Sequence, residues 1–303
     1  MAAEQALRQF IAIVEAGNVT AAARRLGVSQ PSLTKYLRRL EERFGAKLLE
    51  RLPRGVVVTP SGSALYRHAK NIEAEMRFAE ESIGHLKSGQ TSALRLGAGA
   101  LWSIAHCPIL VRRLTARYPS IQLDVVVGTR QALLPKLMRR DLDFALCGIQ
   151  DRLDDARIGV EPLLAVATVV VGRKDHPLQR LGAPDWGALG AFDWICYQNS
   201  LDFAVELARV FELRGLPPPR TAVRTDSWTT GVLIAAQTDN LMCVPQQLVP
   251  FAQQLGLDEL RMFPPLHSFE AGLFFNKQAL ELPAGRFFLR LVREISKDQC
   301  NAD

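Results

Sequence analysis

Apolar residues recur through the first sixty positions with a helical period, and the period breaks at defined points. Leu7, Phe10, Ile11 and Val14 fall at i, i+3, i+4 and i+7, which predicts one apolar face of a short helix ended at Gly17. Asn18 or Thr20 can cap a second helix over 21–26 that buries Ala22, Ala23 and Leu26. Gly27, Val28 and Ser29 predict a tight turn. Ser29 then caps a third helix with Pro31 in its first turn, where a missing N–H costs nothing. Leu33, Leu37, Leu40 and Phe44 are expected on its inner face.

The polar positions of the third helix carry the chemistry. Gln30, Ser32, Thr34, Lys35 and Arg38 point away from the apolar face. Short hydroxyls and an amide near a helix N-terminus can approach base edges in a major groove, and the two cations can reach phosphates. The alternative is a solvated polar face. Against it stands the order of signals: a small alanine-rich helix, a three-residue turn with glycine, then a Ser-Gln-Pro-Ser start. Residues 47–51 and 56–59 predict a two-stranded wing with Arg54 near its tip, where it can enter a minor groove or simply tolerate the turn.

From Thr59 and Pro60 the pattern changes. A capping hydroxyl followed by proline starts a helix. Leu65, Ala69, Ile72, Met76, Ala79, Ile83 and Leu86 are spaced 4, 3, 4, 3, 4, 3. This is a heptad seam with charged flanks, and it argues for packing against a second helix, hence a dimer. About 28 residues at about 1.5 Å rise give a rod of roughly 42 Å. The stretch from Ser88 to Ser92 reads as a hinge.

Beyond Ser92, apolar strands alternate with amphipathic helices. Strands are expected at 94–97, 121–127 and 142–147, with helices through Ile109–Leu114 and Leu133–Leu137. A second set holds strands at 166–171, 194–197, 223–225 and 241–244, with helices at 202–214 and 227–237. The strand 270–276 and the helix 286–295 return to the first set. The expected fold is α/β: a parallel, doubly wound domain of two lobes with a cleft between them. The boundaries are 1–59 for the winged helix-turn-helix, 60–89 for the linker helix and 90–303 for the large domain. Within the last, lobe I spans about 90–165 and 266–303, and lobe II about 166–265. Ligands of such lobes bind at strand C-terminal ends and helix N-termini. That places Ala100, Leu101, Trp102, Ser103, Thr129, Arg130, Gln198, Asn199, Ser200, Thr225, Asp226 and Ser227 around the cleft. Thr129 and Ser227 can instead serve as helix caps, and Arg130 can be solvated.

Charge sharpens the picture. Of the net +6, residues 1–59 contribute ten Lys/Arg against five Asp/Glu, or +5. The balance is 0 for residues 60–89 and +1 for the rest. A basic N-terminal module implies a polyanion, most often nucleic acid. The five cysteines are odd in number, widely spread and contain no CxxC pair, so neither a disulfide framework nor a zinc site is expected. No signal peptide is expected, and the longest apolar run, 163–171, is far shorter than the ~20 residues of a membrane helix. A reducing cytoplasm fits. No metal or other cofactor is expected: GxSxG, Walker A, HExxH and a strand-linked GxGxxG are all missing.

The stretches AAARRLGVSQPSLT from Ala21, LEERFGAKLLER from Leu40 and RGVVVTPSG from Arg54 resemble the DNA-binding half of LysR-type transcriptional regulators. The resemblance is dense over 5–62. It is looser over the rest, carried by Tyr118-Pro119, Asp141-Leu142-Asp143, His176-Pro177-Leu178, Asp226-Ser227 and Val244-Pro245. It implies that the helix after Ser29 is the recognition helix, with DNA contacts from Gln30, Pro31, Thr34, Lys35 and Arg54. It also implies a linker helix that pairs two subunits, effector domains that pair further toward a homotetramer, and a large domain similar to periplasmic binding proteins that takes a small-molecule effector. For an activator, RNA polymerase is a further partner. Two departures stand out. Ala100, Leu101 and Trp102 occupy the start of the first large-domain helix, where the family often has a hydroxyl, and Gln237–Asn240 replaces a glycine-containing turn. Both imply an apolar pocket wall suited to an aromatic or aliphatic acid. The rival reading is an enzyme with an accessory DNA-binding domain.

Overall fold

Asn18 Oδ1 accepts the main-chain N–H groups of Thr20 at 2.7 Å and Ala21 at 3.2 Å, and so starts a helix that the sequence alone marks with a cap. The computed structural model describes residues 2–52, 55–88, 93–150, 153, 155–181, 184–197, 201–260 and 267–300. They divide into two units: 1–89 with 139–141, and 90–138 with 142–303.

The first unit holds α1 (Ala2–Ala16), α2 (Val19–Leu26), α3 (Gln30–Phe44), β1 (Leu49–Leu52), β2 (Gly55–Val58) and α4 (Pro60–Ser88). Gly27 adopts φ +66 and its N–H returns to the carbonyls of Ala23 and Arg24, which ends α2 as a left-handed cap. Phe10, Ile13, Ala22, Leu33, Leu37, Leu40 and Leu48 form the core. Four expected inner positions differ, with Leu7 and Leu26 only half-buried. Ile13 is buried while Val14 is only half-buried, and Phe44, at the last turn of α3, is 50% exposed with the Arg43 guanidinium 6.0 Å from its ring. The helix outlasts the core it packs on. β1 and β2 pair antiparallel from Leu49–Val58 to Leu52–Gly55. Gly55 has φ +138, and a Cβ there would lie 2.5 Å from the Gly17 carbonyl oxygen, which accepts the Val56 N–H at 3.0 Å. Thr59 Oγ1 accepts the Gly62 N–H at 2.9 Å and donates to the Lys47 carbonyl at 2.7 Å, so one hydroxyl caps α4 and holds the base of the wing.

The second unit holds β3 (Ala93–Ala98), a π-helical turn Trp102–His106, α5 (Cys107–Arg117), β4 (Gln122–Val127), α6 (Arg130–Met138), β5 (Phe144–Ile149) and β6 (Ile158–Arg173). Then come α7 (Trp186–Gly190), β7 (Trp194–Tyr197), α8 (Leu201–Glu212), β8 (Thr221–Thr225), α9 (Trp228–Ala235) and β9 (Leu241–Pro245). The chain continues through α10 (Val249–Gln254), β10 (Leu257–Leu260), β11 (His267–Asn276) and α11 (Pro283–Cys300). Among the described residues the strands follow the order β4-β3-β5-β11-β6-β9-β7-β8, with β10 also on β6.

The two outer groups are parallel, as a doubly wound fold requires: β3 with β4 and β5, and β7 with β8 and β9. The middle is antiparallel. β11 pairs with β5 and β6, and β6 pairs with β9 and β10. These two long strands carry the chain between lobes, and the division expected at 165–166 falls inside β6. Asn276, 7% exposed at the end of β11, donates from Nδ2 to the carbonyls of Leu137 at 3.1 Å and Leu142 at 2.9 Å. It thereby joins β11 to the chain between α6 and β5.

Candidate functional site

The first candidate site is the outer face of α3. Ser29 Oγ accepts the Ser32 N–H at 3.3 Å and starts the helix, with Pro31 in the first turn. Gln30, Pro31, Lys35 and Arg38 are exposed and Ser32 and Thr34 half-exposed, while Leu33, Leu37 and Leu40 are buried on the opposite face. The Gln30 side-chain amide donates to Thr34 Oγ1 at 3.4 Å, so these two polar groups act together. Arg38 is not a bare cation: its Nε donates to Glu42 Oε1 at 2.9 Å, one turn further on. Arg54 lies outside the described residues.

Glu41 links this helix to the wing. Its Oε1 accepts the Leu48 N–H at 3.0 Å and the Leu49 N–H at 3.4 Å, and its Oε2 pairs with Lys47 Nζ at 2.8 Å. Burial alone raises this carboxyl, but the hydrogen bonds from Lys47, Leu48 and Leu49 outweigh it and hold the group below its ordinary value.

The second candidate site is a cavity of about 880 Å³ in the large domain. Its walls come from the C-terminal end of β3 (Gly99–Trp102), the start of α6 (Arg130), the end of β5 (Cys147–Gln150), Tyr197 after β7, Trp228 at the start of α9, and Cys243 and Pro245 of β9. Thr168 of β6 and Ser268–Ala271 of β11 line it from the crossing strands, and Glu206 and Arg209 from α8. Glu206 and Arg209 pair at 3.6 Å.

Ala100, Leu101, Trp102 and Arg130 therefore stand at the cavity, as their sequence positions imply. The hydroxyls do not. Thr129 is 7% exposed and its Oγ1 accepts the Ala132 N–H at 3.3 Å. Ser227 caps α9 through the Thr230 N–H at 3.2 Å, Thr225 Oγ1 accepts the Ser227 N–H at 3.1 Å, and Ser103 Oγ donates to the Ala100 carbonyl at 3.1 Å. None of these four, nor Asp226, is among the residues lining the cavity. Gln198, Asn199 and Ser200 lie outside the described residues. Sequence reasoning missed Gln150, Thr168, Tyr197, Trp228 and the 268–271 segment. Only Trp228 had a signal, being next to the capping Ser227.

The thiols and the phenol at the cavity are shifted toward their protonated forms. Burial pushes the Cys147 thiol up to about 12 against the opposing Arg130 charge, and raises Cys243 well above its ordinary value. The Tyr197 phenol is pushed to about 12 by burial and by Asp226. Behind Trp102, the buried His106 ring lies 4.9 Å from the indole, and burial lowers its pKa, which keeps it neutral.

A capped helix-turn-helix and a two-lobed domain with a cavity at strand ends together define a ligand-responsive DNA-binding regulator. Residues 5–63 match the family model for the bacterial regulatory helix-turn-helix protein of the lysR family, and residues 87–297 match the LysR substrate binding domain. The chain belongs to the LysR family of transcriptional regulators, with a DNA-binding helix-turn-helix and an effector-binding domain. It is 27% identical over 292 residues to the HTH-type transcriptional regulator GbpR of Azospirillum brasilense, covering 96% of this chain and 85% of that one. It is 28% identical over 271 residues to the SDS degradation transcriptional activation protein of a Pseudomonas species, covering 86% and 85%. The solved structure of CbnR, a LysR family transcriptional regulator, matches with a TM-score of 0.70 at 20% identity, over 96% of this chain and 98% of that one. Full-length CbnR complexed with its target DNA matches with a TM-score of 0.68 at 20% identity, over 97% and 99%.

Proposed function

We propose that α3 enters the major groove of double-stranded DNA, with Gln30, Ser32 and Thr34 at base edges, Pro31 against the duplex, and Lys35 and Arg38 at phosphates. Arg54 of the wing reaches the adjacent minor groove. The cavity takes a small organic acid with an aromatic or branched apolar body, bound between the lobes and released unchanged. Two copies pair through α4 and the effector domains pair further into a tetramer. The regulator works in the cytoplasm, and where it activates it also meets RNA polymerase.

The observation that carries this reading is the cavity: about 880 Å³, at strand C-terminal ends, in a chain that also presents an exposed polar row on a capped helix. That volume suits a small organic ligand. Its thiols and phenol are held protonated, which supports binding rather than catalysis. Complexation of a related fold with its target DNA supports the first part. Among the described residues no helix is long and apolar enough to cross a membrane.

One experiment tests both halves. DNA upstream of the protein's own gene is footprinted with and without a panel of organic acids, and the acid is recovered and weighed by mass spectrometry. The reading expects a footprint whose length or affinity changes with one acid, recovered intact. A chemically altered acid would return the enzyme alternative. A footprint absent at low salt would remove the DNA assignment.

A further inference from the structure

Glu270 lies on β11 between Ile149 of β5 and Ala165 of β6, so strands on both sides fix its place on the cavity wall. It is exposed, and among the described residues it makes no hydrogen bond or ion pair. The other acidic and basic side chains of the two crossing strands are paired. Glu161 of β6 accepts two bonds from Arg293 at 2.6 and 2.7 Å, and Arg173 of β6 donates to Asp239 at 2.7 Å. Glu270 therefore brings an accessible carboxylate without a counterion to the cavity.

Arg209, in the last turn of α8, lines the same cavity from lobe II. Its side chain is 66% exposed, and its ion pair with Glu206 spans 3.6 Å, beyond hydrogen-bond length. An exposed pair of that kind holds weakly, and the guanidinium keeps N–H donors for a second anion. Arg130, by contrast, is already engaged, with the Phe274 ring 6.0 Å away among its contacts. The four charged groups on the wall, Arg130, Arg209, Glu206 and Glu270, sum to zero. A simple carboxylate entering the cavity would set a like charge against Glu270. A molecule with both signs meets Glu270 and Arg209 at once and leaves the balance unchanged.

We propose that the effector is a zwitterion, an amino acid whose ammonium group meets Glu270 and whose carboxylate meets Arg209. Leu101 and Ile149 provide apolar wall for its body. This rests on the reading of the cavity as the effector site, and it narrows the organic acid to one that carries an amine.

The test uses the full chain with L-phenylalanine, L-leucine and 4-(aminomethyl)benzoate as probes. Each has two counterparts, the same body without the amine and the same body without the carboxylate. Calorimetry is run on the parent, Glu270→Gln, Arg209→Gln and Glu212→Gln. Glu212 is exposed on α8 but does not line the cavity, so its variant controls for general charge effects. The expected result is that at least one amino acid binds the parent more tightly than both of its counterparts. Its affinity should fall about tenfold in Glu270→Gln and in Arg209→Gln, and stay unchanged in Glu212→Gln. The acid lacking the amine should not lose affinity in Glu270→Gln, nor the amine lacking the carboxylate in Arg209→Gln. Glu270 and Arg209 are exposed, so neither variant opens the core, and the comparison of probes on the parent needs no variant at all. An acid or amine that binds as tightly as its amino acid, or an amino acid indifferent to Glu270→Gln or Arg209→Gln, would overturn the zwitterion while leaving the effector cavity standing. A loss as large in Glu212→Gln would do the same. If neither probes nor counterparts bind, the cavity reading falls, and this inference with it.

Discussion

Glu41 Oε1 accepts the main-chain N–H of Leu48 at 3.0 Å, so a carboxylate of α3 holds the first strand of the wing. Local hydrogen bonds on each side do not make that connection; this side chain does, with Leu49 and Lys47 as its other partners. Because the folded pKa is below the unfolded one, the contribution is full above the unfolded value near 4.5 and disappears as pH falls through the folded pKa. The Leu48 and Leu49 amides in the full chain should therefore exchange hydrogen faster as pH falls below about 4.5, after correction for intrinsic rates. Glu41→Gln keeps one acceptor but loses the charge. It should cost ~1–2 kcal/mol of local stability and flatten this pH response. An unchanged exchange profile in the variant would show that the carboxylate does not hold the wing.

On the proposed DNA face, the Gln30–Thr34 contact at 3.4 Å makes a specific expectation possible. Thr34→Ala should relax sequence preference, and its effect should overlap with that of Gln30→Ala, because each variant releases the other group. Lys35→Ala should weaken binding to all sequences and reduce the salt slope by about 1. Arg38→Ala should do less than Lys35→Ala, since Arg38 is already paired with Glu42. Gel shifts at several salt concentrations measure all four. Additive losses at Gln30 and Thr34, or an Arg38 effect larger than that of Lys35, would contradict the geometry.

Much of the N-terminal unit was legible because its signals are local. Asn18, Ser29 and Thr59 cap the helices that follow them, and Gly27 ends α2, all within a few residues of what they control. The crossing strands were not legible at full length. β6 carries Glu161 and Pro162 inside its span, and its pairing with β11 joins residues about a hundred positions apart. Thr168, Ser268 and Glu270 reach the cavity only through that pairing. The hydroxyls at Thr129, Thr225 and Ser227 were ambiguous for a related reason. A hydroxyl beside a helix start is well placed for a ligand and equally well placed for the helix's own N–H groups, and here the backbone takes it.

Asn276 gives a test of the join between β11 and the α6–β5 segment. Its amide satisfies the carbonyls of Leu137 and Leu142 in a buried site. Asn276→Ala should cost ~1–3 kcal/mol through two carbonyls left unsatisfied. Asn276→Asp is nearly isosteric but replaces the donors with a carboxylate facing two carbonyl oxygens, so it should cost more than the alanine variant. Thermal denaturation ranks them. If the aspartate variant is as stable as the parent, water reaches this site and the bonds are not what fastens β11.

The linker seam divides into two parts with different work. Leu65 packs against the core of its own helix-turn-helix unit, and Ala69 is fully buried. From there on the seam faces outward: Ile72 is 46% exposed, Met76 40% and Ile83 53%, at the spacing of one apolar stripe. Burying such a stripe against its copy in a second chain is the ordinary fate of a heptad seam. Leu65→Glu would destabilise the N-terminal unit itself, so its effect on assembly could not be read separately. Ile72→Glu leaves that core intact and places an unpaired charge in the proposed interface, at a cost of several kcal/mol per pair of chains. Light scattering at low micromolar concentration should then show species smaller than the parent, with circular dichroism unchanged. DNA affinity should drop with them, because two half-sites are no longer bound by one molecule. A variant that keeps the parent's mass and its DNA affinity would place the pairing surface elsewhere on the chain.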